Sequence, residues 1–146
     1  MRRREGEEIE KDLRLRIDIL EKRIEDVERL AKDRPKAEFE RLLARVQNMI
    51  NKGDLDATRL ELEVALLTDR VDVTEECIRF KSHNTLFKET IDNQEPAGRK
   101  LNFLLQEMNR EANTIGSKAN DAGNAHIVVE VKEEVEKLRE QVQNIE

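Results

Sequence analysis

Two stretches of the chain carry side chains whose types and spacing could do chemistry. In residues 98–118, Asn102, Gln106, Asn109 and Asn113 recur at helical steps and make one amide row beside an apolar stripe, because a helix turns about 100° per residue. Glu107, Glu111 and Lys118 fall on the other flank of that stripe. Asn is a poor interior helix former, so Asn102, Asn109 and Asn113 point to a binding surface, a buried amide network or a solvated face. In the helix before it, Glu75, Arg79 and Ser82 share one face, while Glu76 and His83 share the border of the apolar face. A histidine beside carboxylates can ligate a divalent metal or move protons near neutral pH, and the same pair can serve as a structural hydrogen bond. The residues alone leave both readings open.

Other reactive groups are read as inert. Cys77 falls on an apolar stripe and reads as a core thiol, and His126 reads as a surface residue at the start of the last helix. The chain contains no Gly-rich phosphate loop, Cys-x-x-Cys pair, His-Glu-x-x-His helix or Gly-x-Ser-x-Gly elbow, which removes the common nucleotide, zinc and serine-hydrolase chemistries. A formal net charge of -6 argues against coating nucleic acid by bulk electrostatics, so any polyanion site must be local. No apolar run approaches the length of a membrane span, and no signal peptide is evident, so the expected compartment is the cytoplasm, with no membrane partner.

The elements that position these groups read as helices throughout. With 146 residues, no Trp or Tyr, four Phe, five Gly and two Pro, the chain is too poor in aromatic and turn residues for a many-stranded sheet protein. The expectation is an all-α antiparallel bundle of about six helices, forming a single helical domain over residues 1–146. Leu13, Ile17, Leu20, Ile24, Val27 and Ala31 form a seam in the first helix, which ends at Arg34-Pro35. Phe39, Leu42, Leu43, Val46, Met49 and Ile50 line a second that stops at Gly53, and Asp54 or Asp56 opens a third with Leu60, Val64, Leu67 and Val71 as its stripe. Asp72 with Glu75 resembles a capping box opening a fourth helix, whose stripe is Val73, Cys77, Phe80, Phe87 and Ile91. Ile78 and Leu86 lie off that stripe and suggest a subunit contact. After a polar connection over 93–98, the fifth helix buries Leu101, Leu104, Leu105, Met108, Ala112 and Ile115 and ends before a loop from Gly116 to Gly123. Val128, Val131, Val135, Leu138, Val142 and Ile145 give the last helix a coiled-coil-like seam, predicted to pair antiparallel with the first while the central helices pack beside them.

The run Gly98-Arg99-Lys100-Leu101-Asn102-Phe103-Leu104-Leu105-Gln106-Glu107-Met108-Asn109-Arg110-Glu111-Ala112-Asn113-Thr114-Ile115-Gly116-Ser117-Lys118 closely resembles the C-terminal signature of the YicC/YloC family of bacterial proteins. Arg4-Glu5-Gly6, the pattern Glu75-Glu76-x-x-Arg79-x-x-Ser82-His83-x-x-x-Phe87 and the final Leu138-Arg139-Glu140-Gln141-Val142-Gln143-Asn144-Ile145-Glu146 agree with it. The resemblance implies a metal-dependent endoribonuclease acting on single-stranded RNA, linked to small-RNA turnover and assembled as a ring-like homo-oligomer. It also implies relatives about twice this length, with an N-terminal domain that this chain lacks.

Carried over residue by residue, the resemblance points to Glu75, Glu76, Arg79, His83, Arg99, Glu107, Asn109, Arg110, Glu111, Asn113, Ser117 and Lys118. RNA cleavage needs a nucleophile, water or the 2′-hydroxyl, and stabilisation of charge on the phosphate, for which carboxylate-held Mg²⁺ or Mn²⁺ is suited. Glu76, Glu107 and Glu111 are the metal candidates, and His83, Glu107 and Glu111 the catalytic ones. Arg79, Arg99, Asn109, Arg110, Asn113, Ser117 and Lys118 are the RNA-binding candidates, with contacts to backbone and shape expected over base stacking. The competing reading is a non-catalytic helical module that oligomerises and delivers RNA to RNA-degradation enzymes. Helices four and five are expected to lie side by side and bring Glu76 and His83 to Glu107, Glu111 and Arg110 in one polar cleft, because amides and carboxylates bordering an apolar stripe are partly desolvated by a neighbouring helix and need partners or a cation.

Overall fold

A computed structural model describes residues 2–51, 56–93, 97–119 and 122–145, without the side chains of 2–4 and 122. Those residues form α1 (Arg2–Ala31), α2 (Arg34–Ile50), α3 (Ala57–Asp69), α4 (Thr74–Asp92), α5 (Gly98–Lys118) and α6 (Ala122–Gln143), with no strand among them. The breaks follow local chemistry. Pro35 sits in the first turn of α2, where its missing N–H costs nothing. Asp56 caps α3 by accepting from the Thr58 N–H at 3.1 Å. Asp72 accepts from both the N–H and the hydroxyl of Thr74 at the start of α4, which holds its carboxyl below the usual aspartate range. Gly53, Asp54 and the middle of the 93–98 connection lie outside the described residues. The connection expected from Gly116 to Gly123 is shorter, because α5 runs on through Gly116 and Ser117 to Lys118. A Cβ at Gly116 would stand 3.1 Å from Val128 Cγ1, so this glycine permits the close approach of α5 and α6.

Four of the helices close a bundle in the cyclic order α1, α6, α5, α4. The first and last helices pair antiparallel through the seams read from the sequence. Leu13, Ile17, Leu20, Ile24 and Val27 are buried against Val128, Val131, Val135, Leu138 and Val142, while Ile145 remains exposed. The register is marked at the rim by Arg16 to Glu134 at 3.0 Å, Arg23 to Glu130 at 2.9 Å and Gln141 to Asp12 at 2.9 Å. The two ends of the chain meet in consequence, and Glu5, Glu8 and Ile9 line one recess with Gln141 and Asn144. On the other side of α1, antiparallel α4 is held by Lys88 to Asp18 at 2.6 Å, with Lys81 on Glu28 and Arg14 on Asp92.

Helices α2 and α3 depart from the expectation that all central helices join this core. They pack on each other as a hairpin and, among the described residues, meet the bundle only at the start of α2, through a small contact with α1 and the bond from Arg34 to the Lys118 carbonyl at the end of α5. Val46 and Val64 are buried between them, but Phe39, Met49, Leu62, Leu66 and Leu67 are exposed, Leu62 by 63%. The stripe of a two-helix hairpin needs only a narrow buried seam, so the rest of its apolar residues face outward. Ile78 and Leu86 of α4 are exposed too, consistent with their position off the stripe. No helix among the described residues is long and apolar enough to cross a membrane.

Candidate functional site

The groove between antiparallel α4 and α5 gathers most of the chemistry-bearing residues. The core stripe of α5 fixes its rotation: burying Leu101, Leu104, Leu105, Met108, Ala112 and Ile115 places Glu107, Glu111 and Lys118 along the edge that meets α4. The stripe of α4 does the same for Glu76 and His83. His83 Nδ1 lies 3.0 Å from Glu111 Oε2 and 2.9 Å from Oε1, so the ring faces both carboxylate oxygens. The His83 side chain keeps 18% of its surface exposed, while that of Glu111 keeps only 7%. Burial pushes the Glu111 carboxyl above the usual glutamate range, a push opposed by the His83 hydrogen bond and charge and by the charge of Arg79, and reinforced by Glu107. The Nδ1–H tautomer donates to Glu111 and leaves Nε2 as the acceptor of the ring.

A second pair lies two turns along α4, about 10 Å from the first by the rise of a helix. Lys118 Nζ donates to Glu76 Oε1 at 2.8 Å and to the Asp72 carbonyl at 3.3 Å. Arg79 approaches the same Glu76 oxygen at 3.7 Å. Glu76 is 3% exposed and its Oε2 has no partner among the described residues. The Lys118 carbonyl in turn accepts from Arg34 at 2.9 Å, so the end of α5 ties down both the start of α2 and the connection into α4. Glu107 faces Arg110 across one turn at 3.5 Å.

Charged groups of opposite sign therefore follow one another along the groove, Lys118, Glu76, Arg79 and then Glu111 beside His83, with Glu107 and its partner Arg110 at the outer rim. His83 meets Glu111, and Arg79 and Glu107 lie close enough to act on the Glu111 charge. Glu76 does not join them; it is held by Lys118. Among the described residues no group of three or more His, Cys, Asp and Glu side chains could hold a metal ion, so Glu76, Glu107 and Glu111 do not form a ligand set. Glu75, Arg99, Asn109, Arg110, Asn113 and Ser117 stand exposed on the outer faces. The amide row is a solvated face, with no hydrogen bond from Gln106, Asn109 or Asn113 to another side chain among the described residues. Cys77 is fully buried and its thiol is pushed up to about 12, chiefly by burial. His126 is at the surface with Glu130 at 3.2 Å.

Two residues were missed by the sequence reading. Asn84 is fully buried and neither atom of its amide finds a partner among the described residues. Its signal was present in the spacing, since Phe80 and Phe87 are seven residues apart and position 84 completes the seam between them. Phe103 is exposed in the middle of the signature helix, a position that a wheel of α5 places outside the apolar stripe.

Fold and groove together define an all-helical bundle domain that carries a half-enclosed histidine–carboxylate pair beside a polar helix face. The family described as "Endoribonuclease YicC-like, C-terminal" matches residues 27–146, and the chain belongs to it. It is similar to a "Probable endoribonuclease YicC" of Clostridioides difficile (strain 630), at 44% identity over 147 residues, covering 100% of this chain and 50% of that protein. A protein of the same description from Haemophilus influenzae is 36% identical over 146 residues, again covering 100% of this chain and 50% of the relative. The chain thus spans half the length of these curated relatives.

Proposed function

We propose that this domain supplies the acid–base groove of a cytoplasmic endoribonuclease that cuts single-stranded RNA and takes part in small-RNA turnover. The observation that carries the reading is the His83–Glu111 pair, half-enclosed between two helices, with Arg79 close enough to act on the Glu111 charge. Glu111 orients the imidazole and stabilises the imidazolium when it forms, and Nε2 is the atom that takes a proton from the attacking 2′-hydroxyl or water. Arg79, Arg99 and Arg110 offer charge to the phosphates, and Asn109, Asn113 and Ser117 offer donors to the strand. Lys118 supports the groove through Glu76. The three carboxylates Glu76, Glu107 and Glu111 do not fit a resident metal, so a Mg²⁺ or Mn²⁺ requirement of the whole enzyme would rest on donors outside this set. The exposed Ile78, Leu86 and α2–α3 hairpin support assembly as a homo-oligomer.

The test is cleavage of a single-stranded RNA by the full-length protein, with and without Mn²⁺. His83→Ala is expected to lose about 10²- to 10⁴-fold in rate, the usual worth of a positioned acid–base group, with RNA binding retained. Equal rates for parent and variant would sink the catalytic reading. That outcome would favour the second reading, a non-catalytic module that delivers RNA to RNA-degradation enzymes. The pairing of Glu76 with Lys118 and Arg79, and of Glu107 with Arg110, speaks for that second reading, since such carboxylates are already neutralised.

A further inference from the structure

Phe103 is 58% exposed on α5, whereas Phe80 and Phe87 of the chain are fully buried. A large aromatic ring left in water needs an explanation when its own helix has a well-filled apolar stripe on the other side. Its surroundings are polar and cationic. Arg99 lies one turn before it, Gln106 one turn after and Arg110 two turns after, all on the same outer side of the helix. Arg99, Lys100 and Arg110 are exposed, while of the two acidic residues of α5 Glu111 is buried and Glu107 is half-buried facing Arg110. In a chain of net charge -6, the outer face of α5 is therefore a local basic surface, with the partly exposed Glu107 at its edge against Arg110 as the one carboxylate near it on this helix. The amide row of Asn102, Gln106, Asn109 and Asn113 runs beside it with its hydrogen-bonding capacity turned to solvent.

An aromatic ring, flanking guanidinium groups and a row of amides are the three parts that single-stranded nucleic acid uses: a platform for a base, charge for phosphates and donor–acceptor pairs for base edges. We propose that Phe103 stacks an unpaired base of bound RNA, with Arg99 and Arg110 on the adjacent phosphates. This inference rests on the RNA reading given above and assigns the residue that grips the strand. Phe103 lies about 12 Å along the helix from Glu111, so a strand anchored there extends toward the His83 groove. Stacking on one ring is sequence-tolerant but stronger for the larger purines, which predicts a preference for oligo(A) over oligo(U).

The experiment uses the full-length protein and fluorescently labelled oligo(A) and oligo(U) of equal length, with binding read by anisotropy at several salt concentrations. Phe103→Ala is expected to weaken oligo(A) binding roughly tenfold to a hundredfold, the range for loss of one stacked base, with the salt dependence unchanged. Phe103→Trp is expected to bind like the parent and to show fluorescence quenched by oligo(A), over and above any change in the parent. Parental affinity in Phe103→Ala for both probes overturns the stacking role while leaving the RNA reading intact. Loss of binding accompanied by a changed mass in light scattering overturns it in favour of a contact between copies of the chain. A parental protein that binds neither probe overturns the RNA reading and the stacking role with it.

Discussion

Lys118→Met removes the ammonium on which buried Glu76 depends. At 2.8 Å and an effective dielectric near 20, the direct attraction between the two charges is about 6 kcal/mol, most of it offset by the cost of taking them from water. Deleting the cation exposes that cost, because Glu76 stays buried with one oxygen already unpartnered. Breaking a fully buried pair costs about 3–5 kcal/mol; Lys118 keeps 30% of its side-chain surface in solvent and Arg79 stands by at 3.7 Å, which places this case at about 3 kcal/mol. For a chain of this length that is a fall of roughly 10 °C in Tm. The assay is urea and thermal unfolding of Lys118→Met, Glu76→Gln and the double variant. Because Gln is neutral, the double variant should recover more than half of the loss, giving a coupling of about 2 kcal/mol. The reasoning fails if Lys118→Met unfolds within about 0.5 kcal/mol of the parent, the range of ordinary surface changes. It fails most clearly if that variant instead loses RNA affinity with a shallower salt dependence, since Lys118 would then be a phosphate contact and not a lock.

Three further outcomes follow from burial and charge. Asn84→Leu should raise stability by about 1–2 kcal/mol in urea unfolding, because an unpartnered amide in an apolar layer is exchanged for an apolar side chain; a loss would mean that the amide is satisfied. The Glu111 carboxyl is raised in the folded state, so its contribution to stability is full below the ordinary glutamate value and is lost as pH rises through the folded value; Glu111→Gln should therefore gain in Tm relative to the parent between about pH 4 and neutrality, and a flat difference would contradict the burial cost. Leu62→Lys with Leu66→Lys should leave the unfolding of the bundle within about 0.5 kcal/mol of the parent, as those side chains lie outside it, and a large loss in circular-dichroism melts would show that the hairpin packs on the core.

The end helices were legible because each carries a long seam at alternating steps of three and four, and a seam of that length has one economical solution, a second seam. Helices α2 and α3 show where the same reading stops. Their stripes have the right period, but period says only that a face is apolar, not how much of it a partner covers. Phe39 and Met49 satisfy the pattern and remain exposed. Charge partners were less legible still. Spacing placed Glu76 and His83 on one edge of α4 and Glu107, Glu111 and Lys118 on one edge of α5. The antiparallel register then decides which meet, pairing 83 with 111 and 76 with 118, and no pattern within either helix encodes it. The expectation of a single cleft for Glu76, His83, Glu107, Glu111 and Arg110 leaves out the two helical turns that separate positions 76 and 83.

Rotation around α5 sorts the consequences of changing it. Residues on the inner arc, such as Leu104, Met108 and Ile115, hold the bundle, and their truncation costs what any core cavity costs. On the arc facing α4, Glu111 and Lys118 sit in partly desolvated pairs, so changes there alter stability in a manner that depends on charge and pH. The outer arc, with Arg99, Phe103, Asn109 and Asn113, touches nothing that folding requires, so the side chains there are free to differ without structural cost. A basic, amide-rich and aromatic composition on such an arc is not required by the bundle, which is why substitutions there separate the proposed RNA contact from folding.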